Sequence, residues 1–240
     1  MNLLTNMSVP VANGLPDWKR GLDLLLILLA LPLLLPLAAV IALGIRLASP
    51  GPVLFQQERI GYLEKRFTCL KFRTMFTDAK NLSHEGHLQQ LIHSNLPMQK
   101  LDVAGDARIT PYGRLLRVTG LDELPQLINI LKGEMSLVGP RPCLPYESAK
   151  YLPWQKERFN VLPGLTGLWQ VSGKNRTTFI KMIQLDITYA RQKNLGLDIL
   201  IILKTIPALI VQMWDMRTKI KPASNMAMRE TILPAKAENQ

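Results

Sequence analysis

From Leu24 to Ile45 the chain carries no charged residue, and all but three positions are Leu, Ile, Val or Ala. At about 1.5 Å of rise per residue, a helix over this run would reach across a hydrocarbon core of about 30 Å. The run is too long for the apolar core of a signal peptide, and no small-residue cleavage site follows it cleanly. It must be buried in lipid or in protein, and the rest of the fold has to be arranged around it. Pro32 and Pro36 stand near its middle. Proline has no N–H, so Pro32 removes the helical donor of the Leu28 carbonyl and Pro36 that of Pro32, at about 3 kcal/mol each. Two prolines one turn apart predict a break, with two half-helices that enter and leave by the same face. A straight span is the alternative.

Charge favours the re-entrant arrangement. Lys19 and Arg20 stand before the run and Arg46 closes it, while the whole chain of 240 residues has a formal net charge of +11. The positive-inside bias then places both ends on the cytoplasmic side. Asp23 lies within helical reach of Lys19 and Arg20, and pairing with them would ease its burial. A basic chain suits polyanionic partners, which include nucleic acid, anionic lipid and phosphorylated substrates. Aromatics make up only 6%, and no basic stretch is interleaved with them, which argues against nucleic acid. Cys69 and Cys143 lie far apart, without metal-ligand spacing, so no disulfide framework is implied. His84, His87 and His93 fall in one polar stretch and read as a solvated face rather than a metal site.

The remaining pattern predicts a mainly α fold with a short β-hairpin. Ser49-Pro50-Gly51-Pro52 is a turn signal. Val53–Phe55 and the stretch from Arg66 to Phe72 read as short strands, with a turn near Gly61. Residues 77–104 are polar and read as a partly helical surface insertion. From Ile109 onward Leu115, Leu116, Leu121, Leu124, Leu127, Ile128 and Leu131 form an apolar stripe near the helical period. Residues 177–192 look helical. The apolar segment from Leu195 to Trp214 is interrupted by Asp198, Lys204 and Pro207, which suits a helix at the membrane interface better than a span. The expected division is an N-terminal segment with a membrane hairpin over 1–48, a small cytosolic catalytic domain with interfacial helices over 49–215, and a polar tail over 216–240.

Three fragments carry chemistry. Asp122 and Glu123 are adjacent carboxylates in an apolar stretch, and Pro125 fits the first turn of a new helix. That puts the pair at or just before a helix N-terminus, where N–H groups favour anions. The plain alternative is that Asp122 caps the helix and Glu123 faces water. In Gly139-Pro140-Arg141-Pro142 the two prolines hold Arg141 extended and Gly139 permits a close approach, so Arg141 is either a phosphate clamp or a solvated side chain. In Lys71-Phe72-Arg73-Thr74-Met75 a strand would put Lys71 and Arg73 on one face, awaiting an anion or facing water.

Together these fragments resemble the bacterial sugar transferases, the monotopic phosphoglycosyl transferases that start glycoconjugate and exopolysaccharide assembly. The resemblance runs from about Lys19 to about Thr205. It takes in KRGLD, the proline-containing run, LKFRTM, GDARITPYGRLLR, LDELPQLINILKGEMSLVGPRP and PGLTGLWQVSGKN. It implies that Asp122 attacks the β-phosphorus of a UDP-sugar, releases UMP and holds the phosphosugar until undecaprenyl (polyprenyl) phosphate takes it. It further implies Mg²⁺ on Glu123, and phosphate binding by Lys71, Arg117 and Arg141, with Arg176 as a weaker candidate. The implied location is the bacterial inner membrane, with the catalytic domain on the cytoplasmic face, in contact with membrane lipid. A homodimer is a reasonable guess for the assembly. No N-terminal membrane bundle stands before the run, so the chain is expected to resemble the small single-domain members. Two positions depart from the pattern. Leu35 precedes Pro36, and Gly120 lies two before Asp122, where many members have Ser.

Two other readings compete. A noncatalytic membrane-surface protein explains the charge and the hairpin but not the five charged side chains standing where the chemistry needs them. A glycosyltransferase that moves the sugar alone would release UDP instead of UMP.

Overall fold

The computed structural model describes residues 16–76, 106, 108–173 and 177–230, with backbone only at 212 and 215–230. The chain begins with helix α1 (Asp17–Ala48). An antiparallel hairpin follows, β1 (Leu54–Ile60) and β2 (Arg66–Phe72), in a register from Leu54 opposite Phe72 to Ile60 opposite Arg66. Next come α2 (Pro111–Thr119), a tight 3₁₀ turn over Leu121–Glu123 and the short α3 (Gln126–Leu131). Strand β3 (Ser136–Val138) pairs in parallel with β4 (Gly164–Thr166). Between them lie α4 (Pro145–Ser148) and a 3₁₀ helix over Pro153–Asn160. The chain continues through α5 (Leu168–Val171), α6 (Phe179–Gln192) and α7 (Leu195–Glu230).

The mainly helical fold with one short hairpin agrees with the sequence, but several details differ. Helix α1 runs unbroken through Pro32 and Pro36, where a break was expected. Packing on both flanks accounts for this. Ile27 and Leu31 pack with Cys69, Ile130 and Met135, while Leu37, Ile41 and Ile45 pack with Phe72 and Leu116. Both flanks are thus fixed in helical geometry by tertiary contacts, which outweigh the two lost hydrogen bonds. The opposite face of α1 is also apolar and is exposed at Leu25, Leu28, Leu29, Leu33, Val40, Leu43 and Leu47.

The start of α1 is tied down by buried polar groups. Lys19 Nζ donates to Asp198 Oδ2 (2.6 Å), the Val138 carbonyl (2.8 Å) and the Tyr189 hydroxyl (2.8 Å). Lys19 and Asp198 are 1% and 0% exposed, so each charge has exchanged water for the other and for the surrounding dipoles. The expected pairing of Asp23 with Lys19 and Arg20 is therefore not what forms. Asp23 instead accepts from the Leu137 N–H (3.1 Å), and Arg20 donates to the carbonyls of Ile130 and Leu131. Tertiary partners compete better than helical neighbours because they are themselves buried donors and acceptors that need satisfying.

Asp198, which reads in sequence as an interruption of an apolar segment, is thus the anchor of α7 to α1. The outward side of α7 stays apolar and exposed at Ile199, Leu203, Ile206, Ile210, Val211 and Trp214. The helix continues across position 216 to Glu230. The apolar stripe from Leu115 to Leu131 does not lie on one helix, because Gly120 at φ 74° ends α2 and the chain turns before α3 starts. The insertion at 77–104, its three histidines and Arg176 lie outside the described residues.

Candidate active site

Thr110 caps α2, its hydroxyl accepting from the Gly113 N–H (2.9 Å), and Pro111 occupies the first turn. Gly113 is needed for another reason. A β-carbon there would lie 2.1 Å from the Thr74 carbonyl oxygen, so α2 seats directly on the segment that leaves β2. At the other end Gly120 adopts the left-handed conformation that lets the helix stop. Glycine adopts this conformation without strain. The turn that follows is held by Leu121 and Leu124, which pack with Phe72 and Leu116. Asp122 and Glu123 are consequently left half-buried, on a turn whose position is set by apolar neighbours.

Strand β2 delivers the cation. Lys71 Nζ lies 2.7 Å from Glu123 Oε1, and the two side chains are 23% and 33% exposed. A partly exposed ion pair of this kind contributes about 0–1 kcal/mol, so either partner can exchange it for a phosphate or a metal ion at small cost. Arg73 does not share the role foreseen for it. It is buried and donates to the carbonyls of Pro50 (2.7 Å) and Ser49 (2.7 Å), tying the end of β2 to the exit of α1. The strand ends at Phe72, so the alternation that would have put Arg73 beside Lys71 stops one residue short.

Arg117 reaches toward the same segment, its Nε donating to Thr74 Oγ1 (2.8 Å). Beyond it, Arg108 forms an ion pair with Asp106 (2.6 Å). Arg108 chiefly, with Arg117 further off, holds the Asp106 carboxyl down at about 2. Thr74, Asp106 and Arg108 were not singled out from sequence. All three fall inside the quoted stretches LKFRTM and GDARITPYGRLLR, and the Asp-x-Arg spacing was the available signal.

Arg141 stands on the loop between β3 and α4. A β-carbon at Gly139 would lie 2.3 Å from the Leu162 carbonyl oxygen, so the close approach expected there occurs. The charges of Lys71, Arg59, Glu123 and Arg141 all act on the Cys69 thiol, which burial pushes up. The structure brings together Lys71 with Glu123 and Arg117 with Thr74, and holds the Arg141 backbone through Arg158. Arg176 lies outside the described residues.

Among the described residues no group of three or more His, Cys, Asp or Glu side chains could hold a metal by protein ligands alone. Glu123 offers hard oxygen to a cation that keeps waters and takes phosphate ligands, which is the habit of Mg²⁺. Chemically, the turn offers two adjacent carboxylates, one of them in contact with Lys71.

The sequence pattern of the family described as "Bacterial sugar transferase" matches residues 16–212. The exopolysaccharide production protein ExoY of Sinorhizobium fredii is 37% identical over 195 residues, 79% of this chain and 84% of that protein. The UDP-glucose:undecaprenyl-phosphate glucose-1-phosphate transferase of Caulobacter vibrioides is 40% identical over 201 residues, 80% of this chain and 69% of its own length. The undecaprenyl-phosphate glucose phosphotransferase of Komagataeibacter xylinus is 38% identical over 216 residues, 84% of this chain but only 38% of that longer protein.

Proposed function

The chain belongs to the bacterial sugar transferase family, and we propose on that premise that it moves a sugar 1-phosphate from a UDP-sugar to undecaprenyl phosphate. Its class is that of the phosphoglycosyl transferases. The observation that carries the detailed reading is the turn that presents Asp122 and Glu123 beside Lys71, on a domain to which the apolar α1 is fastened at both ends.

In this reading an Asp122 carboxylate oxygen attacks the β-phosphorus, the bond to the α-phosphate oxygen breaks, and UMP leaves with that electron pair. An oxygen of undecaprenyl phosphate then attacks the same phosphorus and the aspartate carboxylate departs. One displacement between two anions becomes two, each at a phosphorus already held in place. Lys71, Arg117 and Arg141 bind phosphate oxygens, with Arg176 as a further candidate. Glu123 would exchange its contact with Lys71 for Mg²⁺. The ion, when bound, would neutralise phosphate oxygens and favour the leaving group.

The proposed location is the cytoplasmic face of the inner membrane, with α1 re-entrant. Support comes from the buried stripe of α1. Lys19 near one end and Ile45 near the other both pack on the same domain, as a re-entrant helix would, and the two prolines can bend α1 without ending it. Its exposed leucines, with the outward face of α7, supply the apolar area for lipid.

The test is nucleotide release. Detergent-solubilised protein with Mg²⁺ and undecaprenyl phosphate is given UDP-glucose, UDP-galactose and UDP-N-acetylglucosamine in turn. UMP from one donor, abolished by Asp122→Asn, supports the reading. UDP in place of UMP would favour simple glycosyl transfer, and an active Asp122→Asn would remove the nucleophile assignment.

A further inference from the structure

The loop that displays Arg141 is held in an unusual way. Pro140 and Pro142 have no N–H, so the loop can be fixed mainly through its acceptors. Four consecutive carbonyls are each taken by a different donor. Pro140 accepts from the Gly164 N–H (2.8 Å), Arg141 from Arg158 Nη2 (2.8 Å), Pro142 from Arg59 Nη1 (3.0 Å) and Cys143 from the Ile60 N–H (2.9 Å). Two of the four donors are buried arginine side chains.

Arg158 is 1% exposed, a costly place for a guanidinium. It is held there by Asp186 Oδ2 (2.5 Å) and the Tyr151 hydroxyl (2.6 Å), and it lies beside the stacked Tyr151 and Phe159 rings, 5.5 and 5.9 Å from their centroids. A core filler would need none of this. A planar fork anchored on one side by a buried carboxylate presents its remaining N–H in a fixed direction, and that N–H meets the carbonyl of Arg141 itself.

We propose that Arg158 is a positioning residue for Arg141, and that the two act as one unit in binding the sugar-nucleotide phosphates. The proposal rests on the reading of Arg141 as a phosphate clamp. Asp186 orients Arg158, Arg158 fixes the Arg141 backbone, and the fixed backbone aims the Arg141 side chain. Arg158 has no contact with substrate in this scheme.

The test is a double-mutant cycle on UMP release, using whichever of UDP-glucose, UDP-galactose and UDP-N-acetylglucosamine the wild type turns over. Arg158→Lys keeps a positive charge for Asp186 but loses the fork. It is expected to raise KM for the UDP-sugar by about tenfold, with kcat changed far less, as expected when a charge-assisted contact is loosened. Arg141→Ala is expected to raise KM at least as much, and the double variant no further than Arg141→Ala alone. Ile183→Val removes a methylene from the core cluster that contains Tyr151 and Phe159, and no hydrogen bond. It is expected to lower the melting temperature while leaving KM unchanged. If Arg158→Lys does not fold, Asp186→Asn takes its place, with the same direction expected. Losses that multiply in the double variant would overturn the proposal while leaving Arg141 as a clamp. So would an Arg158→Lys that melts earlier at unchanged KM. An Arg141→Ala with wild-type KM would overturn the clamp and the proposal together.

Discussion

At the residue scale, close approaches and buried groups set the limits on substitution. Gly139 and Gly113 each face a backbone carbonyl so closely that a β-carbon would overlap it. Gly139→Ala must push β3 away from the chain at Leu162 and Pro163, and backbone there has little room to yield. A loss of about 1–3 kcal/mol is expected, read as a lower denaturation midpoint, together with a fall in UMP release because Arg141 moves with the loop. An unchanged midpoint would mean the approach is looser than the structure has it. The two thiols make a second case. Cys69 and Cys143 are each 1% exposed, and burial, chiefly, pushes Cys143 up to about 12. Thiolate is the reactive species, so neither cysteine is expected to react with a thiol-specific reagent at pH 8 until the protein is unfolded. Rapid labelling of the folded protein would contradict their burial. The carboxylate pair and its cations were legible in sequence as residues because adjacent acids in an apolar stretch and an arginine between prolines are unusual. Their partners were not. Lys71 with Glu123, and Arg117 with Thr74, join residues 52 and 43 positions apart, and such pairings follow from how β2 and α2 pack.

At the element scale, periodicity found the hairpin, α6 and the apolar segment that begins α7, and failed where packing overrode a local rule. The prolines of α1 predicted a break, yet both flanks pack on the domain and the helix continues. The stripe from Leu115 to Leu131 looked like one helix. It turns at Gly120, a residue whose left-handed conformation no spacing argument reveals. Asp198 looked like a flaw in an apolar segment, and it proves to be the buried partner of Lys19. This last contact carries an element-level prediction. Lys19→Met leaves Asp198 charged and buried without its partner, at an expected cost of about 3–5 kcal/mol. Replacing both residues by apolar ones of similar size removes the stranded charge and is expected to restore most of that loss. Chemical denaturation in detergent would measure both. Equal destabilisation by the single and double changes would show that the contact contributes through packing alone.

For the whole molecule, the question is how a helix long enough to cross a bilayer sits on a domain that, under the proposed function, meets both a cytosolic nucleotide and a lipid phosphate. Mean burial does not decide it, since α1 has an apolar face on each side. The re-entrant reading rests on where the ends are held. The first turn is locked to α7 through Lys19 and Asp198, and the last turns are packed on α2 through Ile45 and through Gly44, whose missing side chain admits the Tyr112 ring. A straight helix from Lys19 to Ile45 would be about 39 Å long, enough to cross the hydrocarbon, so the re-entrant reading needs α1 to bend or to lie along the surface. Asp17 and Ala48 are exposed and lie just outside the two anchored regions. The buried native thiols leave a single introduced cysteine as the reactive one. Asp17→Cys and Ala48→Cys are therefore expected to react with a membrane-impermeant maleimide in inverted inner-membrane vesicles and to be protected in intact spheroplasts. Labelling of the two positions from opposite sides would make α1 a span and overturn the re-entrant reading.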